Sequence, residues 1–538
     1  MGGVILAIKK QTFMKGVMII MISQILIKIF GFIYRIILTN IEGFSDIGNS
    51  YYGAGYKVYS FILAVATMGI PNTISKLVSE KLAIGDNRGA HKVFKTALTV
   101  FTAVGMFFAL LLLFSSNYVA TNILSNPGVK YTLMVLSPAV LFVSIASVFR
   151  GYFVGMENMS AHSVAQIIEQ IVNSILSVVF VMMLVTKSPE IMAAGSTAAT
   201  AVSTLVALVY LVIYYRKSRK DIKENVKNSA DVQQEGRRQI VRKIIHYVIP
   251  ISFGSIVVAL AGMIDLVTVM DGLQKFGYTL EQANEKFGII LGKVDILTSV
   301  PLALNVAFST SLVPVVTRAI TRGEKKEAIK KINYSMKISS IMAFPCAVGL
   351  SVLAGPIIEM LFPNASEGAY LLRIEAFVVI FSVLAQTAYG SLHGLGKLYI
   401  PGISLLIGAV TKYFLNVIFV PLFGEVVVPI TTLVYQGIAV LVSTVFLYST
   451  LRTKYDKNTI IIKPLLASLI MAVVTILTYN LVNYITMSNS VSTMISICVA
   501  VIAYMLSIVN LNVLTNDEIM ELPYGNKICH FVKKIKKV

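Results

Sequence analysis

The segment FRGYFVGMENMSAHSVAQIIEQ (residues 149–170) lies between two strongly apolar runs and places Arg150, Glu157 and Glu169 at their junction. A second junction of this kind, HGLGKLYIPG (393–402) followed by AVTKYFLN (409–416), occurs 243 residues later. Matching junctions at a fixed separation indicate an internal repeat, which decides the architecture before any single motif does. The alignment pairs Gly151 with Gly394, Glu169 with Lys412 and Asn173 with Asn416.

A second pair of segments supports the repeat. GIPNTISKLVSEKLAIGDNRGAHKVFKTAL (69–98) corresponds to NVAFSTSLVPVVTRAITRGEKKEAIKKINYSM (305–336), with Gly85 opposite Gly323 at an offset of 238 residues. Both segments run from an apolar stretch through a basic turn into the next apolar stretch. The pattern predicts two parallel repeats of six helices, an arrangement that supports alternating access in membrane transporters.

The composition is that of a membrane protein. Of 538 residues, 56% are hydrophobic and 13% charged, whereas soluble domains carry about 25% charged residues. Apolar runs of about 18 to 25 residues recur along the chain, and each is long enough to cross a bilayer as a helix. We therefore expect an all-α polytopic protein with about fourteen transmembrane helices. The predicted spans are 15–38, 58–79, 93–115, 131–153, 163–186, 191–215, 244–269, 288–313, 336–361, 370–392, 400–423, 427–450, 464–486 and 491–513.

The distribution of basic residues tests the predicted number of transmembrane helices, because Lys and Arg collect in cytoplasmic loops. About 35 of the 46 fall in the N-terminus, the even-numbered loops and the C-terminal tail, which predicts both termini on the cytoplasmic side. The net charge of +20 then reflects topology and attraction to anionic lipids. A nucleic-acid partner is not expected, because no stretch outside the predicted spans is long enough to form a soluble basic domain.

The predicted domains follow the repeat and the charge. They are an N-terminal lobe (1–215), a basic cytoplasmic linker (216–243), a C-terminal lobe (244–450), two appended helices (451–515) and a basic cytoplasmic tail (516–538).

A charged side chain within an apolar span requires an explanation, because its insertion into the membrane costs about 2.5 to 3.5 kcal/mol. Lys28 and Arg35 lie seven residues apart in SQILIKIFGFIYRIIL (23–38), which places them on one helix face. Two cations on one face suggest a wall for an anionic headgroup, and the alternative is structural ion pairing or snorkelling of the side-chain ends to the interface.

Other charges suggest gates or ion pairs. Asp265 and Lys293 lie at similar depths in consecutive spans, so we expect a contact between them, either structural or as part of the substrate site. Lys76 and Glu80 have the spacing of a local pair. Glu169 and Lys412, equivalent in the repeat and opposite in sign, could pair across the lobes when an inner gate closes. Arg150 is expected near the lipid headgroups.

Catalytic and cofactor motifs were sought and not found. The sequence contains no GxxxxGK[ST], HExxH or GxSxG segment, so we expect neither an enzyme nor a cofactor or metal. A membrane-embedded transferase would need a catalytic acid or His with a facing partner, and none is evident. We also expect a monomer.

Several segments together resemble a known family. KQTFMKG, SQILIKIFGFIYRI, GIPNTISKLVSEK, FRGYFVGMENM with SVAQIIEQ, and HGLGK are similar to the polysaccharide biosynthesis/stage V sporulation protein B group. This group includes MurJ-type lipid II flippases and lies in the multidrug/oligosaccharidyl-lipid/polysaccharide (MOP) exporter superfamily. The resemblance covers nearly the whole chain.

The resemblance implies a V-shaped bacterial plasma-membrane transporter with a cationic cavity and a groove for a polyprenyl tail at the last two helices. It implies that the protein flips an undecaprenyl-pyrophosphate-linked saccharide, such as the peptidoglycan precursor lipid II, to the outer leaflet. Lys28, Arg35 and Lys57, which opens the predicted second span, become candidates for headgroup binding together with Lys293. The sequence departs from the family in carrying Lys rather than Arg at position 28.

Other functions stay open at this point. The alternatives are a flippase for another lipid-linked oligosaccharide, an ion-coupled multidrug exporter, and a scaffold for cell-wall or sporulation assembly. A drug exporter would favour acidic residues in its cavity, and the buried Lys and Arg residues argue against it.

Overall fold

A computed structural model of the protein describes residues 13–233, 235–453 and 456–520, and this part of the chain is helical, without β-strands. The N-terminal start and most of the predicted basic tail lie outside the described residues. The chain forms two compact units, residues 1–292 and 293–538.

The described part of unit 1 contains ten α-helices and most of the predicted first eight spans. They are α1 (Phe13–Thr39), α2 (Ser45–Ala66), α3 (Ile70–Ala83), α4 (Asn87–Tyr118), α5 (Val129–Gly155), α6 (Met159–Met183), α7 (Pro189–Lys217), α8 (Arg219–Lys227), α9 (Arg237–Phe276) and α10 (Leu280–Ile289). Wider π-helical turns follow α4 (Val119–Ile123) and α10 (Ile290–Val294).

Unit 2 contains the remaining helices of the described chain. They are α11 (Asp295–Thr321), α12 (Lys325–Val352), α13 (Ala354–Leu361), α14 (Ala369–Glu375), α15 (Val378–Gly394), α16 (Ile400–Phe423), α17 (Val427–Leu451), α18 (Lys463–Thr486), α19 (Asn489–Asn510) and α20 (Asn516–Met520). The appended helices α18 and α19 pack on each other and on α12, sharing a core with Val348.

The predicted all-α polytopic fold is confirmed. Within the described residues, 12 stretches are long and apolar enough to cross a membrane. One of them, Ile400–Leu451, contains the two helices α16 and α17, and the apolar helix α1 is additional. Counted in this way, the spans agree with the expected number of about fourteen.

Several spans that we predicted as single helices are broken, which corrects their boundaries. The second span begins at Ser45 rather than near residue 58, and it divides into α2 and α3. The division falls before Pro71, which has no N–H to continue a helical ladder. The eighth span divides at the π-helical turn after α10, and the ninth divides at Leu353.

The internal repeat is visible in backbone geometry. Gly85 and Gly323 both end their helices with a positive φ, 75° and 74° respectively, a conformation that glycine adopts without steric cost. The next helix starts two residues later in both cases. The offset of 238 residues is therefore correct at this turn.

The second predicted offset is wrong by one helical turn at the junction itself. A Cβ on Gly155 would lie 2.9 Å from the Ser75 carbonyl, and a Cβ on Gly394 would lie 3.1 Å from the Val313 carbonyl. The Gly155 carbonyl accepts from Ser79 and the Gly394 carbonyl from Thr317, each at 3.1 Å. Gly394 therefore corresponds to Gly155 rather than to Gly151. Gly151 corresponds instead to Gly390, since a Cβ would lie 2.7 Å from the Pro71 carbonyl at the first position and 2.5 Å from the Ser309 carbonyl at the second.

The compact units do not coincide with the predicted lobes. Helices α9 and α10, which follow the basic linker, pack on α2 within unit 1. The linker is itself partly ordered, since α8 occupies residues Arg219–Lys227 and buries Ile222 in the core of unit 1. The lobe boundary at residues 216–243 remains a prediction about which parts move together.

Candidate functional site

Arg35 is the charged side chain around which the candidate site of unit 1 is arranged. It lies near the end of α1 with only 8% of its surface exposed. Its guanidinium carbon stands 4.2 Å from the centre of the Tyr52 ring, and Nη2 donates a long hydrogen bond of 3.4 Å to the Leu291 carbonyl. Within the part of the chain that the structure describes, Nη1 is buried without a hydrogen-bond partner. The guanidinium is held in place but is left with capacity for an acceptor.

A row of tyrosines on α2 extends from this arginine. Tyr52 and Tyr56 stack with ring centres 5.6 Å apart, and Tyr59 meets the Tyr56 edge at the same distance. The Tyr34 and Tyr52 hydroxyls are 3.0 Å apart. We missed these tyrosines in the sequence, although their spacing in YYGAGYKVY (51–59) places positions 52, 56 and 59 on one helix face.

Arg35 and the tyrosines of α2 form a cluster, and close packing of α10 on α2 closes one end of it. A Cβ on Gly288 would collide with the Asp46 carbonyl, and one on Gly53 would lie 2.8 Å from Leu291. Gly288 and Gly292 form a GIILG segment, the small-residue spacing that lets membrane helices approach closely. By the predicted topology this end faces outside.

Buried amides join the same helices. Asn284 of α10 is fully buried, and its Oδ1 accepts from Ser50 at 2.7 Å and from Asn126 at 2.6 Å. Its own Nδ2 donates to the Leu280 carbonyl at 2.9 Å. The network ties α10 to α2 and to the segment before α5. It was not anticipated, because a lone Asn in the sequence does not indicate its partners.

The other predicted headgroup cations of unit 1 have different environments. Lys28 is exposed on α1, on the stripe that follows Gln24, whose Nε2 donates to Gln166 of α6 at 3.0 Å. Lys57 lies half-buried inside α2 and does not open a helix, because α2 begins at Ser45. Their role in headgroup binding stays a prediction.

Glu169 and its repeat partner have local contacts in the described structure. Glu169 pairs with Arg150 across α6 and α5, so Arg150 is buried against protein rather than placed among headgroups. In unit 2, Lys412 is 3% exposed and donates to Thr432 at 2.9 Å. The pairing of Glu169 with Lys412 stays a prediction.

Lys293 has a structural environment. Its ammonium is fully buried and donates to the carbonyls of Ala365 at 2.6 Å and Glu367 at 2.9 Å. These bonds hold the loop before α14, and we therefore leave Lys293 out of the candidate site. Asp265 is partly buried on α9, and its predicted contact with Lys293 stays a prediction.

Lys76 and Glu80 form the local pair that their spacing suggested. Their charged atoms are 4.0 Å apart and both side chains are about half exposed. The Lys76 ammonium also stands 3.8 Å from the centre of the Tyr247 ring. An exposed pair of this kind contributes about 0.3–0.5 kcal/mol.

Solved structures with this fold are membrane transporters. An inward-facing multidrug resistance MATE family transporter of the MOP superfamily superposes with a TM-score of 0.66 at 15% identity, covering 80% of this chain and 98% of that one. The lipid II flippase MurJ in an inward closed conformation gives 0.64 at 15% identity, covering 91% of this chain and 98% of that one. The fold is thus of the MOP type.

The family follows from the sequence match. The family model described as "Polysaccharide biosynthesis protein" matches residues 13–320, and the chain belongs to this family. The lipid II flippase MurJ of Bacillus subtilis (strain 168) is 28% identical over 420 residues, which cover 75% of this chain and 76% of that protein. Stage V sporulation protein B of the same organism is 23% identical over 377 residues, covering 69% and 71%.

Proposed function

We propose that this protein flips a lipid-linked saccharide from the inner to the outer leaflet of the bacterial plasma membrane, and that its cargo is the peptidoglycan precursor lipid II. The observation that carries the proposal is the buried Arg35 guanidinium, whose Nη1 has no hydrogen-bond partner among the described residues. The similarity to the B. subtilis flippase, over about three quarters of both chains, supports the choice of cargo.

The proposed chemistry is recognition without covalent change. A pyrophosphate oxygen accepts the hydrogen bond that Nη1 of Arg35 does not otherwise donate, and a charge-assisted bond in a site shielded from water is strong. The Tyr52 ring and the Leu291 carbonyl keep the guanidinium oriented. Lys28, exposed on the same helix, attracts the diphosphate as it approaches.

Transport then follows alternating access. The α2–α10 contact shuts the predicted outer end of the cluster, and its opening would release the headgroup while the polyprenyl tail stays in lipid. A ligand shifts such an equilibrium only by its differential affinity for the two states. We infer that contact with Arg35 supplies this difference.

The experiment is a flipping assay in cells that carry this protein as their only flippase. Depletion should raise the pool of lipid II in the inner leaflet, and wild-type protein should restore outward flow. Arg35→Ala should fail to restore it, whereas Arg35→Lys should restore it partly, because a point charge attracts diphosphate without the planar geometry of a guanidinium.

Lys275→Gln is the matched control. Lys275 is exposed and pairs locally with Asp271 at 2.6 Å on α9, so its loss removes one positive charge from a surface pair that includes none of the Arg35 contacts. Normal flipping by well-expressed Arg35→Ala would reject Arg35 as the headgroup contact. Depletion without accumulation of lipid II would reject the cargo.

A drug exporter is the weaker candidate. Its cationic substrates would be repelled by a buried guanidinium that has no acidic partner among the residues of the described structure, since like charges in a low-dielectric site are strongly unfavourable.

A further inference from the structure

A second cationic feature lies at the predicted cytoplasmic end of unit 1. Helices α4, α5, α7 and α8 surround a cavity of about 450 Å³. It shares no residue with the Arg35 site, which α1, α2 and the turn after α10 build. We call it the linker pocket, because α8 is the first part of the segment that joins the two repeats.

Four cations line the linker pocket, namely Lys95 of α4, Arg216 of α7, and Arg219 and Lys223 of α8. The lining contains no acidic residue. Within residues 13–233, 235–453 and 456–520, none of the four forms a salt bridge. All four side chains are exposed, so water and salt screen their mutual repulsion. Like charges that line one cavity still create a positive potential, which attracts an anion.

The floor of the linker pocket is a rigid aromatic surface. The Tyr215 ring is packed 5.3 Å from Phe94 and 5.7 Å from Phe149, measured between ring centres. His91 lies nearly parallel to Tyr215 at 6.4 Å. Phe94 and Phe149 belong to the main core of unit 1 and Tyr215 packs against it, so the floor does not have to form when a ligand arrives.

The wall that α8 provides is also fixed. Ile222 is 3% exposed and inserts into the same core, which turns Arg219 and Lys223 toward the cavity on either side of it. A short, strongly polar helix would not otherwise hold a position at a membrane surface. The cations are therefore presented on a preformed frame rather than on a mobile loop.

We propose that the linker pocket binds a phosphate-bearing anion. Two arginines offer planar donors that match phosphate oxygens, and the lysines add point charges without geometric demand. Basic pockets between membrane helices on the cytoplasmic side commonly take anionic lipid headgroups. The chemistry suits both the phosphodiester of an anionic phospholipid and a soluble pyrophosphate, and binding of either one would hold α8 against α4 and α7.

The test compares two double variants with the same change in charge. Arg219→Gln with Lys223→Gln removes two pocket cations, whereas Lys220→Gln with Lys227→Gln removes two exposed cations of the same helix that do not line the cavity. Each protein is placed in nanodiscs of phosphatidylcholine with a small fraction of phosphatidylglycerol, and the phosphatidylglycerol retained is counted by native mass spectrometry. Pyrophosphate is titrated separately by calorimetry.

The pocket variant should lose retained phosphatidylglycerol or bind pyrophosphate at least about tenfold more weakly, while the control variant keeps both properties. Loss of lipid alone would identify a lipid headgroup, and loss of pyrophosphate binding alone a soluble anion. Equal behaviour of the two variants toward both probes would overturn the proposal. Should the double variant not fold, Lys95→Gln on α4 provides the same comparison against Lys220→Gln.

Discussion

The charge of Arg35 is largely shielded from water, and its contacts in unit 1 compensate only part of the cost of burying it. The Tyr52 ring and one long hydrogen bond to Leu291 contribute, while Nη1 has no acceptor in residues 13–233, 235–453 and 456–520. A buried donor without a partner costs about 1–3 kcal/mol, and more when the group is charged. Such a cost is typical of functional sites, where a ligand supplies the missing contact.

Asn284 shows the opposite arrangement, in which a buried polar side chain is well satisfied. Asn284→Ala should destabilise the protein by about 1–3 kcal/mol, because the donors of Ser50 and Asn126 lose their shared acceptor inside the protein. Thermal unfolding in detergent measures the effect. Asn225→Ala, an exposed position on α8, is the control, and an equal loss in both variants would contradict the importance of the network.

Glu235 gives the linker a dependence on pH. Hydrogen bonds from Lys243 at 2.8 Å and Lys81 at 2.7 Å hold the pKa of the Glu235 carboxyl below its ordinary value. A carboxyl whose pKa is lower in the folded state stabilises that state above its unfolded pKa, and the stabilisation disappears as the pH falls through the folded pKa.

Glu235→Gln should therefore lower the melting temperature at pH 7, and the difference from wild type should shrink below about pH 4. Melting curves from pH 3.5 to pH 8 measure this. Glu224→Gln removes an exposed carboxylate of the same linker and should change little. A difference that stays constant over the whole range would show that the charge of Glu235 is not responsible.

At the scale of helices, glycine decides how closely α10 approaches α2. Gly288→Ala should destabilise the protein by about 1–3 kcal/mol, because the new methyl group would overlap the Asp46 carbonyl and force the helices apart. Thermal unfolding tests this prediction, and the variant should also leave the outer end of the Arg35 site more open to thiol reagents at an introduced Asn49→Cys.

Gly262→Ala is the matched control, since a Cβ at that position in α9 meets no atom within 4 Å. It should be neutral or more stable by up to about 1 kcal/mol, because alanine is the better helix former. If both substitutions behaved alike, steric contact with α2 could not be the cause.

For the whole molecule, the distribution of basic residues predicts an orientation in the membrane. In a variant with all three cysteines replaced, Thr186→Cys between α6 and α7 should react with an impermeant maleimide in intact cells. Lys220→Cys on α8 should react only after the membrane is permeabilised, because Lys- and Arg-rich loops stay inside. Both positions are exposed, so the reverse pattern would mean the opposite orientation.

Hydropathy predicted the helices well, because the transfer of a segment into lipid depends on the apolar character of about twenty consecutive residues. It failed at breaks such as the one before Pro71, where an apolar stretch continues although the backbone ladder does not. The repeat was visible in glycines and basic turns, but its register at Gly155 and Gly394 required the contacts with α3 and α11. Of the predicted site residues, Arg35 stays a candidate for headgroup binding, whereas Lys293 donates to carbonyls of the loop before α14.

The sequence by itself determined the membrane class, the number of spans, the repeat and the expected orientation. These depend on local hydrophobicity and on charge counts, and neither requires a knowledge of contacts. Only the tertiary structure decided which intramembrane charges already have partners and which do not, since the Leu291 carbonyl that Arg35 contacts lies 256 residues away. The environment of a buried charge is set by groups distant in the chain, and it is this environment that distinguishes a binding residue from a structural one.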